Sequence, residues 1–152
     1  MIRILFVCLG NICRSVAAEG ILCAMAEKAG RAHEFEIDSA GLIDYHEGEL
    51  ADPRMRAAAS RRGYNLTHHS RPVTQADFTH FHYIIGMDAD NLRRLRRMQP
   101  QNSTAEILPA SDFFTTQGAT SCVPDPYYGS TQAFEFCLTH LEDVCKNILE
   151  KF

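Results

Sequence analysis

The first thirty residues of this 152-residue chain constrain its fold more than any other stretch. Ile2-Arg-Ile-Leu-Phe-Val7 is a β-branched and aromatic run too short for a helix, and it reads as a strand buried on both faces. Gly10 and Asn11 break it, and both residue types adopt left-handed backbone angles readily. From Ser15 the apolar positions Ala18, Ile21, Leu22, Met25 and Ala29 recur at helical spacing, with Ser15 placed to cap the helix and Gly30 to stop it. A buried strand running through a tight loop straight into a helix points to a sheet covered by helices.

The remaining pattern agrees. Phe35 to Ser39 alternates as a second strand, and Asp52-Pro53 opens an Ala- and Arg-rich helix ending at Gly63, with a polar loop carrying Tyr45 between them. Tyr83 to Met87 is a third strand, followed by a helix from Asp88 to Met98. That helix opens with Asp88 and Asp90 and closes with Arg93, Arg94, Arg96 and Arg97, the charge order its dipole favours. Glu106 to Leu108 is a weaker fourth strand, a Gly/Thr/Ser-rich loop follows, and Ala133 to Leu149 is a last amphipathic helix. The expectation is a single three-layer α/β domain over residues 1–152, with a four-stranded, mostly parallel twisted sheet flanked by helices. Ligands of such sheets bind at the carboxyl ends of the strands, which directs attention to the loop after strand one.

Composition excludes several other classes. With 45% hydrophobic and 22% charged residues the chain is far from disorder, and at this length about 68–70% of the extended surface is buried without metal or disulfide staples. A formal charge of −4, spread along the chain, argues against nucleic acid or an anionic membrane as partner. The arginine cluster before Met98 has no interleaved aromatic platform and reads as a solvated helix end. Six unevenly spaced cysteines, at 8, 13, 23, 122, 137 and 145, fit thiols in a reducing compartment better than a secreted scaffold. The apolar run ending at Leu9 is too short for a signal peptide and has no cleavage pattern, so a cytoplasmic location is expected. The histidines show no ligand-like spacing, so neither metal nor cofactor is expected.

The loop after strand one, Cys8-Leu9-Gly10-Asn11-Ile12-Cys13-Arg14-Ser15, is laid out as an anion cradle. A turn at Gly10-Asn11 directs successive N–H groups into one concavity at the positive end of a helix, and Arg14 adds a planar fork for two oxyanion oxygens. The same donors favour negative charge on the Cys8 sulfur and make it a nucleophile. Ser15 can donate a hydrogen bond to that sulfur, and Asn11 can hold the loop through its amide. The Walker lysine and the third glycine of a dinucleotide fingerprint are both missing, which disfavours nucleotide binding. Asp125, followed by Pro126 and far from Cys8 in sequence, is the candidate proton donor, although Asp-Pro is also a common turn. Tyr45, Tyr127 and Tyr128 could wall a pocket for an aryl ring or simply pack in the core.

With Asp125-Pro126, the segment Val7 to Ser15 resembles the signature of the low-molecular-weight protein tyrosine phosphatases, a Cys-x5-Arg-Ser loop near the N-terminus and a distant Asp-Pro. Asp38-Ser39-Ala40, Thr67-His68, Gly86-Met87-Asp88, Asn91-Leu92 and Asp125 to Gly129 fall where that family has similar segments, so the resemblance spans the chain. It implies phosphotyrosine hydrolysis through a cysteinyl-phosphate, with Cys8 as nucleophile, Arg14 as phosphate ligand and Asp125 as acid, then base. It further implies that Tyr45 and Tyr127 flank the pocket mouth, that Ile12 contributes a wall, and that Ser39 and His68 brace Asn11. A reversible Cys8–Cys13 disulfide and phosphorylation of Tyr127 or Tyr128 belong to the same resemblance. Its partners would be phosphotyrosine proteins, a tyrosine kinase among them, and no oligomeric state follows from it. Val16 departs from the proline usual after the signature serine, a change that loosens the helix start without removing a reacting group.

Three alternatives stay open at the level of sequence. Arginine phosphatases similar to this family carry threonine at the place of Ile12. Thioredoxin-linked arsenate reductases share the fold and loop but need further cysteines after the third strand, and none occurs between Met87 and Thr120. A non-catalytic phosphate-binding module would have no use for Cys8, Arg14, Ser15 and Asp125 together.

Overall fold

The computed structural model describes residues 1–115 and 122–152. The strands are β1 (Ile2–Cys8), β2 (Phe35–Gly41), β3 (Tyr83–Gly86) and β4 (Glu106–Pro109), and they form one sheet of order β2-β1-β3-β4. All neighbouring pairs are parallel, with Val7 opposite Ala40 on one side and Gly86 on the other. The helices are α1 (Arg14–Lys28), α2 (Pro53–Arg61), the short α3 (Asp77–His80), α4 (Ala89–Met98) and α5 (Thr131–Lys151). The Gly/Thr/Ser-rich loop expected after the fourth strand falls at 116–121, outside the described residues.

β1 is central because its side chains are apolar on both faces. Ile4, Phe6 and Cys8 pack into the layer with α1, α2 and α5, while Leu5 and Val7 pack with Phe78 of α3, Ile84 of β3 and Leu95 of α4. Ile4 to Val7 are fully buried, and each such side chain contributes about 1.5–3 kcal/mol relative to exposure. The loop that follows therefore leaves a rigid strand. β2 lies on one side of β1 and β3 on the other, so the connections after β1 and β3 diverge and open a crevice at the carboxyl edge.

The helix ends follow their chemistry. Asp52 accepts the Arg54 amide at 2.8 Å with Pro53 in the first turn of α2, and Asp88 accepts the Asn91 amide at 2.8 Å above α4. Gly30 closes α1 at φ 71°, the left-handed conformation a glycine stop uses. At the other end of α1 the expectation fails. Cys13, not Ser15, is the N-cap residue, and no side chain caps it. Ser15 already lies inside the helix, and its hydroxyl is committed to Cys8 and Asn11 instead. A helix start without a side-chain acceptor keeps its amides available for an anion.

Candidate active site

The loop between β1 and α1 is held from outside by its carbonyls. The carbonyls of Cys8 and Leu9 accept from the amides of Leu42 and Ile43, Gly10 from the Ser70 hydroxyl at 3.0 Å, Ile12 from the Asp52 amide and Cys13 from the Ala17 amide. In a trans peptide the N–H points opposite to the C=O. The amides of Leu9, Gly10, Asn11, Cys13 and Arg14 are thereby turned away from these partners and toward the concavity. Gly41 makes the close packing feasible, since a Cβ there would lie 3.1 Å from both the Gly10 carbonyl carbon and the Leu9 oxygen. The left-handed residue of the loop is Asn11, at φ 58°, and Gly10 needs no such angle.

Asn11 is 1% exposed, and every polar atom of its amide is used. Its Nδ2 donates to the hydroxyls of Ser15 at 2.8 Å and Ser39 at 3.0 Å. Its Oδ1 accepts from His68 Nε2 at 2.9 Å and the Arg71 amide at 3.1 Å. Ser39 and His68 thus both contact the Asn11 amide.

Cys8 Sγ lies 3.0 Å from the Ser15 hydroxyl and 3.5 Å from the Ser15 amide. Arg14 is buried, and its Nη1 donates to Asp88 Oδ2 at 2.7 Å and to the Val123 carbonyl at 3.0 Å. Its Nη2 is 3.6 Å from Asp125 Oδ2. Burial alone would lower the Arg14 pKa, but the negative charge of Cys8, the hydrogen bond to Asp88 and the charge of Asp125 outweigh it and keep the guanidinium charged. Burial pushes Asp88 up, and the Arg14 hydrogen bond with the amides of Asn91 and Asp90 more than reverses this, leaving it below the ordinary carboxylate range. Burial, then the Cys8 charge, push the Cys13 thiol up, so Cys13 stays protonated beside Cys8.

Asp125 is held at the cleft rim by two ties. Its Oδ1 accepts the Tyr127 amide at 3.0 Å, and the Val123 amide donates to the Met87 carbonyl at 3.0 Å, anchoring the segment to the end of β3. A cleft of about 350 Å³ is lined by Cys8, Leu9, Gly10, Ile12, Cys13, Arg14, Tyr45, Asp125, Tyr127 and Tyr128, whereas Asn11 and Ser15 of the expected loop lie behind it. Tyr45 and Tyr128 stand at its mouth, 80% and 96% exposed, so they are not core residues. Tyr127 is half-buried and packs under Arg54, whose guanidinium lies 5.4 Å from the ring centroid and is pinned by Asp52.

Sequence reasoning missed three contributors. Ile43 and His46 also line the cleft, with the His46 ring edge-on to Tyr45 at 4.8 Å, and Asp88 carries Arg14. In the sequence Asp88 reads from its surroundings only as an acidic residue at the helix start, where the dipole favours it. Behind the loop, Glu19, Asp38 and His68 bring three potential metal-ligand atoms within 4.8 Å of one another, a grouping that no sequence spacing indicates. Burial pushes Glu19 up to about 7, against the pull of the Ser39 hydrogen bond, and Asp38 adds to the rise.

A parallel α/β sheet whose first strand ends in a cysteine, with an arginine opening the next helix and amides turned inward between them, defines a cysteine-based oxyanion site. Residues 3–152 match the family model described as low molecular weight phosphotyrosine protein phosphatase. The chain is 42% identical over 150 residues to a low molecular weight protein-tyrosine-phosphatase of Streptomyces coelicolor, covering 97% of this chain and 91% of that one. It is 39% identical to a low molecular weight phosphotyrosine protein phosphatase of Schizosaccharomyces pombe, covering 98% and 96%. The crystal structure of an Entamoeba histolytica protein tyrosine phosphatase with Hepes in its active site superposes with a TM-score of 0.93 at 42% identity, covering 99% and 96%. The chain belongs to the low molecular weight phosphotyrosine protein phosphatase family.

Proposed function

We propose that this chain, as one catalytic domain over residues 1–152, hydrolyses phosphotyrosine in proteins through a cysteinyl-phosphate intermediate, without a catalytic cofactor. The observation that carries the reading is the convergence of Cys8, Arg14 and Asp125 on one cleft with tyrosine walls. The phosphoryl group enters the cradle of loop amides, and the Arg14 fork, held by Asp88 and the Val123 carbonyl, takes two of its oxygens. Cys8 Sγ attacks phosphorus, the S–P bond forms as the P–O bond to the aryl group breaks, and Asp125 gives its proton to the departing oxygen. In the second step Asp125 takes a proton from water, the water oxygen bonds to phosphorus, and the S–P bond breaks. The Ser15 hydroxyl, 3.0 Å from the sulfur, stabilises the departing thiolate. Asn11, with Ser39 and His68 behind it, holds the loop in the left-handed turn through both steps.

Ile12, Tyr45, Tyr127 and Tyr128 favour an aryl phosphate ester, which is long enough to reach Cys8 from the mouth, over phosphoserine. Ile12 also separates this chain from arginine phosphatases that carry threonine there. Cys13 lines the same cleft as Cys8, which supports its role as a resolving thiol under peroxide, and a cytoplasmic location suits a nucleophile that must stay reduced. Among the described residues no helix is long and apolar enough to cross a membrane. Tyr128, 96% exposed beside the cleft, offers its hydroxyl to a tyrosine kinase as partner.

The test is phosphate release from phosphotyrosine, phosphoserine and phosphoarginine peptides under reducing conditions, for the wild type and Cys8→Ser. Release from phosphotyrosine alone, abolished in Cys8→Ser with vanadate binding retained, is the expected result. Release that survives the substitution, or a preference for phosphoarginine, overturns the assignment.

A further inference from the structure

A second concavity, of about 660 Å³, opens along the solvent-facing side of α2, walled by Leu50, Pro53, Arg56, Ala57, Tyr64 and His69 among others. It begins at the segments that hold the phosphate loop. Leu50 follows Glu49, whose carboxylate faces Nδ1 of the cleft residue His46 at 3.3 Å, and two residues on the Asp52 amide donates to the Ile12 carbonyl at 2.8 Å. His69 precedes Ser70, whose hydroxyl donates to the Gly10 carbonyl at 3.0 Å. From His46 in the cleft to Leu50 in the groove is four residues, at most about 13 Å of extended chain. The groove pairs an apolar wall with an uncompensated charge. Leu50 keeps 39% of its surface exposed, and Pro53 and Ala57 are exposed beside it. Arg54, Arg61 and Arg62 are each paired with a carboxylate, of Asp52 for the first and Glu135 for the others. Arg56 differs: its Nε donates to the Ala51 carbonyl at 3.0 Å, which fixes the guanidinium, and among the described residues its Nη groups meet no carboxylate.

We propose that this groove binds the substrate polypeptide on one side of the phosphotyrosine, with Arg56 taking the carboxylate of an acidic residue and Leu50, Pro53 and Ala57 covering an apolar neighbour. The proposal deepens the phosphotyrosine phosphatase reading and rests on it. A phosphotyrosine side chain that reaches Cys8 leaves its backbone at the mouth, beside Tyr45 and Tyr128, and the chain then continues past Glu49 to Leu50. A span of about 13 Å is roughly four residues of extended chain, which places the acidic residue about three to five positions from the phosphotyrosine. Glu47 and Glu49, exposed on the connecting segment, repel a carboxylate set closer than that, so the preference is confined to the groove. The Arg56 fork suits a carboxylate in two-point contact, and a hydrocarbon side chain next to it removes Leu50 from water. A single contact at the rim of a site changes affinity severalfold rather than by orders of magnitude. It leaves the chemistry at Cys8 untouched and therefore acts on KM rather than kcat.

The experiment compares phosphotyrosine peptides that carry a Leu-Glu, Leu-Lys or Ser-Glu pair three to five residues before or after the phosphotyrosine, with a small aryl phosphate that cannot reach the groove as control. In the wild type the Leu-Glu peptide should have a KM about three- to fivefold below the Leu-Lys peptide on one side of the phosphotyrosine, at equal kcat, and below the Ser-Glu peptide as well. Arg56→Ala should remove the preference for glutamate and Arg56→Glu should reverse it, while aryl phosphate hydrolysis stays at the wild-type rate in both and shows that the active site is folded. Leu50→Ser should remove the advantage of leucine over serine in the peptide. Equal KM values for all peptides in the wild type, or a preference for glutamate that survives in Arg56→Glu, overturns the groove and leaves the active-site reading standing. Failure of the wild type to hydrolyse the aryl phosphate and every peptide overturns that reading and the groove with it. A dimer seen by sedimentation and dissociated by Arg56→Glu would put a second copy of the chain in the groove and overturn the assignment to substrate.

Discussion

Asn11→Ala tests how the loop is held, because it removes the side chain whose amide ties four partners while leaving every reacting group in place. Two terms add. Alanine at φ 58° costs about 1–2 kcal/mol in the left-handed region, where asparagine is better tolerated. The four hydrogen bonds are each worth about 0.5–1.5 kcal/mol net, and their partners are left unsatisfied in a region where Asn11, Ser15 and Ser39 are all nearly inaccessible. Allowing for relaxation and an entering water, the total loss is about 3–5 kcal/mol. Asn11→Gly separates the terms: it loses the same hydrogen bonds but accepts the backbone angle, so it should be about 1 kcal/mol more stable than Asn11→Ala. Urea unfolding of both variants measures stability, and vanadate affinity reports the cradle, which should weaken more than tenfold in each. The reasoning is refuted if the two variants are equally stable within error, or if either retains wild-type vanadate affinity.

Three further outcomes follow from the same geometry. Asp88 is held below its ordinary range when folded, so its charge stabilises the protein fully above the unfolded value near 4 and less as pH falls through the folded value. Asp88→Asn should therefore flatten the acid limb of the stability profile and, by releasing Arg14, lower kcat/KM about tenfold with phosphotyrosine peptide; an unchanged acid limb would remove Asp88 from the account. Asp125→Ala should slow aryl phosphates with poor leaving groups at least tenfold more than those with good ones, read from a leaving-group series; equal slowing would mean another group supplies the proton. Peroxide inactivation should be fully reversed by thiol reductant in the wild type and only partly in Cys13→Ser, with a Cys8–Cys13 bond found by mass spectrometry; equal recovery would show that Cys13 does not protect Cys8.

The sequence displays the fold most clearly where local pattern and tertiary need coincide. β1 reads correctly because its residues are apolar on both faces, and α2 and α4 read correctly because Pro53 opens the one and an acidic-to-basic charge order marks the other, starts that Asp52 and Asp88 then cap by local hydrogen bonds. Ser15 reads as a cap from its local position, and there the tertiary demand wins: the hydroxyl meets the Cys8 sulfur, and the helix start has no side-chain cap. Gly41 ends a strand like any small residue, and only the loop packed 3.1 Å from its missing Cβ shows why a side chain is excluded. Asp88 hides a second role behind its capping role, because its carboxylate meets Arg14 across 74 positions of sequence. Glu19, Asp38 and His68 are brought together by three different elements, and no spacing along the chain encodes such a meeting.

The covalent intermediate tests the central claim most directly. Wild-type protein mixed with a phosphotyrosine peptide, quenched within the first turnover and digested, should carry one phosphoryl group on the peptide containing Cys8, with sulfur as its site and decay matching phosphate release. Phosphate released with no sulfur-bound phosphoryl at any quench time, or a phosphoryl group located on a residue other than Cys8, would contradict it.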